Sequence, residues 1–273
     1  MSFSLINPTN KVQVENQFKR KKLDPTFEYG KIDDYIYPLR DVLKELKLGN
    51  TIIDRILERK RKELIAKINL LSHIGTPDFS RYSLEIYPAP DARLLRVAYN
   101  IVQTMPSSTS SKKISRKEAL TILRRIFKNL NLPWKIGSIQ MITSANVEPM
   151  QRKLELRKRE RFTQDYIYRL IVHEIGAHVL RSENGFEQKV SVFRNGFANY
   201  IDTEEGIAVY NEFISGLLTG SILRNYAGRV IAVDYALKHS FSETYHYLRN
   251  YFSAKSALKL TLRVKRGLKD TSA

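Results

Sequence analysis

Apolar residues recur every three to four positions along most of the chain, a spacing that predicts helices. Residues 1 to about 25 are polar and without period, and read as a mobile basic tail. Over residues 32–48, Ile36, Leu39, Val42, Leu43 and Leu46 mark one helical face, and Gly49-Asn50 supplies a stop signal. A second helix over 51–71 carries Ile52, Ile53, Ile56, Leu57, Leu64, Ile65, Ile68 and Leu71, with its charges on the other face. Gly75-Thr76-Pro77 and Pro88-Ala89-Pro90 break the pattern, and a further helix is predicted over 92–103. Residues 105–113, MPSSTSSKK, form a low-complexity stretch suited to a linker or loop. Ser115 and Glu118 have capping-box spacing and open a helix to about residue 130.

The period then changes. Residues 136–147 (IGSIQMITSANV) and 154–161 (LELRKRER) read as strands joined around Glu148-Pro149. The second alternates only briefly and is rich in Lys and Arg, which predicts a sheet-edge strand. Thr163 is placed to cap the next helix, which runs through Tyr166, Leu170, Ile171 and His173 to about residue 181. Helices follow over 202–218, 221–237, 240–251 (opened by the Ser240/Glu243 capping box) and 254–264. The reading is an α+β chain, mostly helical, with a small antiparallel sheet beside the histidine-bearing helix. Its expected organisation is a tail (1–25), a helical subdomain (26–104), a linker (105–113) and a C-terminal subdomain (114–273).

Composition narrows the partners. With 42% hydrophobic and 10% aromatic residues the chain suits an ordered globular fold. No apolar run approaches the roughly 18–20 residues of a membrane span, and the N-terminus lacks the apolar core of a secretory signal. A cytoplasmic location is expected. There is no Cys, so a bound metal would have N and O ligands. Lys and Arg total 46 against 28 Asp and Glu, a net charge of +18. The cations cluster at Lys19-Arg20-Lys21-Lys22, at Arg59-Lys60-Arg61-Lys62, and between Arg152 and Arg161. Such an excess favours nucleic acid, anionic lipid or an acidic protein tail, although solvated basic faces are an equally good account.

The candidate chemistry lies at residues 172–178, VHEIGAH. Two of the chain's five His, His173 and His178, flank the carboxylate of Glu174 there. Imidazole suits zinc, and a Glu beside a bound metal can act as a base. The familiar metal-binding helix places two His at i and i+4. At i and i+5 they diverge by roughly 140° in a regular helix. Either no metal binds, or the helix holds an extra residue in that turn, as a π-bulge does. A wide turn at Ile175-Gly176-Ala177 is therefore predicted, with Gly176 taking the strain. Glu205, 32 residues beyond His173, is the candidate third ligand. Three protein ligands and one open position make a catalytic zinc site. Glu204 competes for that role, and Asp202 and Glu205 also have capping-box spacing, which needs no metal. His73, His239 and His246 lie near helix ends and are not expected to be ligands.

HEIGAHVLR at 173–181 with NG at 184–185, TEEGIA at 203–208, KHSFSETY at 238–245 and RVKRGLKDTS at 263–272 resemble the microtubule-associated tyrosine carboxypeptidase family. That family includes prokaryotic relatives marked by a Gln-Glu-Gly-Leu-Ala motif. A looser likeness covers Phe27-Glu28-Tyr29 and Gly75-Thr76 through Tyr87. The resemblance implies a zincin-like fold in which His173, His178 and Glu205 hold one zinc per chain and Glu174 is the general base. It implies removal of a C-terminal residue, Tyr or another aromatic, from a protein or peptide, and the basic surface would suit an acidic tail. A carboxypeptidase must also grip the terminal carboxylate, most naturally with Arg. Arg263 and Arg266 are the candidates, with a solvated helix end as their plain alternative. The chain departs from the family at Lys189, where many relatives have Pro, and at Thr271-Ser272-Ala273, beyond which relatives continue. A truncated or less active relative is expected if that continuation shapes the substrate pocket. The alternative reading is a basic nucleic-acid- or filament-binding protein with a structural or inactive metal site. No zinc-finger, RNP or GXXG module supports it, which ranks it below the peptidase.

Overall fold

Capping side chains fix many of the helix starts. In this computed structural model the chain is described over residues 3–32, 34–106, 111–139, 145–158 and 161–272. Residues 107–110 of the expected linker, 140–144 of the first expected strand and 159–160 of the second lie outside these. The chain opens with α1 (Lys11–Lys21), α2 (Ile36–Glu45), α3 (Ile52–Ser72), α4 (Phe79–Ile86) and α5 (Ala92–Thr104). Then come β1 (Lys113–Ser115), α6 (Arg116–Asn129), β2 (Lys135–Ile139), β3 (Ala145–Glu148), β4 (Lys153–Arg157), β5 (Arg161–Thr163) and α7 (Gln164–Leu170). The Thr163 hydroxyl caps α7, which runs directly into a π-helix (Ile171–Val179) and α8 (Leu180–Phe186). The remaining elements are α9 (Val192–Asn195), α10 (Ile201–Ile214), α11 (Gly220–Ala236), α12 (Phe241–Leu248) and α13 (Ala254–Val264). Among the described residues no helix is long and apolar enough to cross a membrane.

Two compact units result, Met1–Ser107 with Gly220–Ala273, and Ser108–Thr219. The sequence suggested one border at 105–113, and the structure adds a second at 219/220. In the first unit, α11 to α13 join the N-terminal helices because their apolar faces share one core. Ala98 and Val102 of α5 pack there with Ala227 and Ile231 of α11. Residues 11–21, read above as part of a polar tail, are helical because Val14 and Phe18, four apart, bury one face. The Phe18 ring meets Phe241 at 4.8 Å and Tyr245 at 5.0 Å, both edge-on.

The same unit gathers three segments that are far apart in sequence. The Phe27 N–H donates to the Lys269 carbonyl (2.9 Å), and the Gly75 N–H to the Gly267 carbonyl (2.7 Å). The Tyr29 hydroxyl donates to the Leu268 carbonyl (2.8 Å) and accepts from the Gly267 N–H (2.7 Å). Phe27-Glu28-Tyr29, Gly75-Thr76 and the RVKRGLKDTS segment therefore form one knot. At α12, Ser240 and Glu243 make a reciprocal capping box. Ser240→Ala is expected to destabilise by about 1 kcal/mol, read as a fall of about 2–4 °C in a thermal melt.

In the second unit β2, β4 and β3 form a mixed sheet in that order, with β4 parallel to β2 and antiparallel to β3. β1 and β5 form a separate antiparallel pair. The strand expected at the sheet edge is thus central. Leu154 and Leu156 bury one face of β4 against Leu170, Ile175 and Val179. Glu155 is buried on the opposite face, where Lys153 pairs with it. Charged residues kept β4 from reading as a core strand, yet their long side chains are satisfied within the sheet.

Candidate metal centre

The i, i+5 spacing of the two His demands a turn wider than an α-helix gives, and nine residues around them are π-helical. The imidazole rings converge, with centroids 5.4 Å apart. Gly176 does not carry the strain foreseen for it, because its φ is not positive and a Cβ there would make ordinary contacts. The turn is supported from outside: the Asn211 side-chain amide donates to the Val172 carbonyl (3.3 Å). Such a donor satisfies a backbone group that the altered helix register displaces.

α10 crosses beside this π-helix and brings in Glu205. Its carboxylate oxygens lie 3.4 Å from His173 Nε2 and 3.6 Å from His178 Nε2. One ligand atom from each of His173, His178 and Glu205 lies within 4.8 Å of the other two. Two donors on one tetrahedral zinc, each at about 2.0–2.1 Å, stand about 3.3–3.4 Å apart, so the observed separations suit such an ion. The capping-box account of Glu205 does not hold. α10 is preceded by Tyr200, which makes no side-chain cap, and Asp202 lies inside the first turn. Glu204 does not join that cluster, since its carboxylate sits 3.3 Å from His178 Nδ1 and 2.6 Å from Arg181 Nε.

The electrostatics of the cluster would suit a cation. Burial would lower the pKa of His173, but hydrogen bonds to Glu205 and Glu212 and the charge of Glu174 raise it to about 9. His178 is also raised: burial lowers it, but the hydrogen bond to Glu204 and the charges of Glu174, Glu204 and Glu205 together outweigh that. Four carboxylates thus surround two imidazoles, a donor set and a charge that favour a divalent cation. Glu174 makes no hydrogen bond or ion pair among the described residues. Burial raises its pKa above the ordinary carboxylate value, and the His173 and His178 charges oppose that rise.

The model of the microtubule-associated tyrosine carboxypeptidase family matches residues 16–272. The chain belongs to that family. Compared with curated proteins, it has no match. The family's name carries tyrosine carboxypeptidase activity, and the stretches that carried the resemblance fall into two places: HEIGAH and TEEGIA at this centre, and the C-terminal stretch in the knot around Tyr29. Arg263 lies in the last turn of α13 and Arg266 just beyond it, and both belong to the first unit, not to the unit that holds His173, His178 and Glu205. His73 bonds the Asn69 carbonyl, His239 stacks on Tyr235 and His246 is in the last turn of α12. None of the three joins a metal cluster among the described residues. Sequence reasoning missed Arg169, Asn211 and Glu212. Glu212 stands seven residues after Glu205, two helical turns on and thus on the same helix face, the one signal that could have found it.

Proposed function

We propose that this chain is a zinc metallocarboxypeptidase that removes a C-terminal residue, Tyr or another aromatic, from a protein or peptide. What supports this most is the convergence of His173, His178 and Glu205 beside an otherwise unengaged Glu174. His173, His178 and Glu205 would hold the ion. When bound, zinc polarises the scissile carbonyl and acidifies water. Glu174 then takes a proton from the attacking water and hands it to the leaving amine as the C–N bond breaks. Its burial beside both imidazoles, with no competing partner among the described residues, suits it to that role.

Arg266 is the better of the two candidates for the terminal carboxylate. It is half-buried, its hydrogen bond runs to the Asn7 side-chain oxygen (3.1 Å), and no carboxylate pairs with it among the described residues. Burial depresses its pKa, and the nearby Arg229 charge does so further. A guanidinium stays charged under such pressure and is improved by an incoming anion. The net charge of +18 would favour a substrate with an acidic tail.

Elemental analysis of the wild type beside His178→Ala and Glu205→Ala, with cleavage of peptides ending in Tyr, Phe and Glu, tests the reading. One zinc per chain, lost in both variants together with cleavage, is expected, with Tyr and Phe preferred. A wild type that takes up no zinc after reconstitution sinks it. Arg266→Gln is expected to raise KM for free-carboxyl peptides about tenfold or more, the loss of one charged bidentate contact. An unchanged KM removes Arg266 from the site.

A further inference from the structure

α10 does more than supply Glu205. Its buried face also carries Glu204 and Glu212, and each addresses one imidazole from behind. Glu212 Oε1 lies 2.7 Å from His173 Nδ1 and 3.1 Å from Arg169 Nη1. Glu204 Oε1 lies 3.3 Å from His178 Nδ1 and 2.6 Å from Arg181 Nε. Two triplets result, Arg169–Glu212–His173 and Arg181–Glu204–His178, with the same order of groups. In both, Nδ1 faces the supporting carboxylate and Nε2 faces Glu205.

A neutral imidazole has one N–H and one lone pair, and only the lone pair can hold a metal. A carboxylate at Nδ1 keeps the proton there and points the Nε2 lone pair inward. Glu212 is fully buried, where a lone carboxylate would be costly, and the arginine supplies the opposite charge. The guanidinium also limits how the carboxylate turns. The Arg181 side chain is fixed in its own right, because its Nη1 donates to the Arg194 carbonyl (2.6 Å).

We infer that Glu212 and Glu204, clamped by Arg169 and Arg181, are positioning residues that fix the tautomer and orientation of His173 and His178 and thereby set the metal affinity of the centre. This rests on the zinc reading above. Neither glutamate touches the metal or the substrate. Their effect is expected in binding before any turnover.

Zinc affinity by competition with a chromophoric chelator, and the visible spectrum of the cobalt-substituted protein, test it. Glu212→Ala and Glu204→Ala are each expected to weaken zinc about 10–100-fold and to shift the cobalt bands. Glu212→Gln keeps an oxygen that accepts from Nδ1–H, and is expected to recover most of the affinity and the wild-type spectrum. Should Glu212→Ala not fold, Glu204→Ala and Arg181→Met at the second triplet carry the same expectation. Alanine variants that bind zinc as tightly as a zinc-loaded wild type overturn the inference alone. So does a Gln variant as weak as Ala with unchanged cobalt bands, which marks lost packing only. A wild type that binds no zinc overturns it together with the zinc reading.

Discussion

Glu174→Gln is expected to lose about 10²–10⁴-fold in kcat while still holding one zinc per chain, the range that removal of a positioned general base produces. Three other carboxylates stand close by, but each is engaged with an imidazole: Glu205 at both Nε2 atoms, Glu204 and Glu212 at the two Nδ1 atoms. Glu174 is left without such a partner among the described residues. Gln has nearly the same shape and cannot take a proton. Among the described residues the substitution breaks no hydrogen bond or ion pair, and it removes a charge that burial disfavours. The melting temperature should therefore hold or rise while turnover collapses. His173→Ala should behave differently, losing metal and turnover together. Parallel measurement of kcat, zinc content and thermal melt separates these cases. A Gln variant that keeps a tenth of the activity would show that another group takes the proton.

The largest expected loss of stability lies elsewhere, at Gly267→Ala. Gly267 has φ +96°, and a Cβ added there would lie 2.0 Å from Phe79 Cε1. The ring cannot step aside easily, because Phe79 is buried. Nor can the backbone rotate, because the Gly267 N–H donates to the Tyr29 hydroxyl and its carbonyl accepts from the Gly75 N–H. A left-handed residue with a side chain costs about 1–2 kcal/mol, and forcing a methyl into a packed site costs about 1–3 kcal/mol more. The sum, about 2–5 kcal/mol, is a large share of the roughly 5–15 kcal/mol by which a domain is stable. Gly30→Ala is the control: a Cβ there meets nothing within 4 Å, and a change within about 0.5 kcal/mol is expected. Chemical denaturation of both variants checks this. A Gly267→Ala protein as stable as Gly30→Ala would mean that the Tyr29 knot yields.

Much of this was legible in the chain because the signals are local. Periodicity and caps placed α3, α5, α6, α12 and α13 within a few residues, since a cap acts over three residues and a helical face repeats every three to four. The i, i+5 histidines called for a wide turn by geometry alone, and the helix is π where they stand. α1 escaped notice because only Val14 and Phe18 bury its face, a pattern too sparse to read among so many cations. β4 was misplaced at an edge because the sequence does not say what lies on either side of a strand.

The sequence by itself determined which residue types stand at the centre and that a regular helix could not bring His173 and His178 together. Only the tertiary structure brought Glu205, and not Glu204, to the two Nε2 atoms. Neighbours on a helix point about 100° apart, so the choice depends on how α10 docks against the π-helix. The same docking made Glu212 and Asn211 part of the site, and separate packing in the first unit joined Tyr29 to Gly267. These are contacts between residues 39 to 238 apart. Their geometry is set by packing, which no local pattern records.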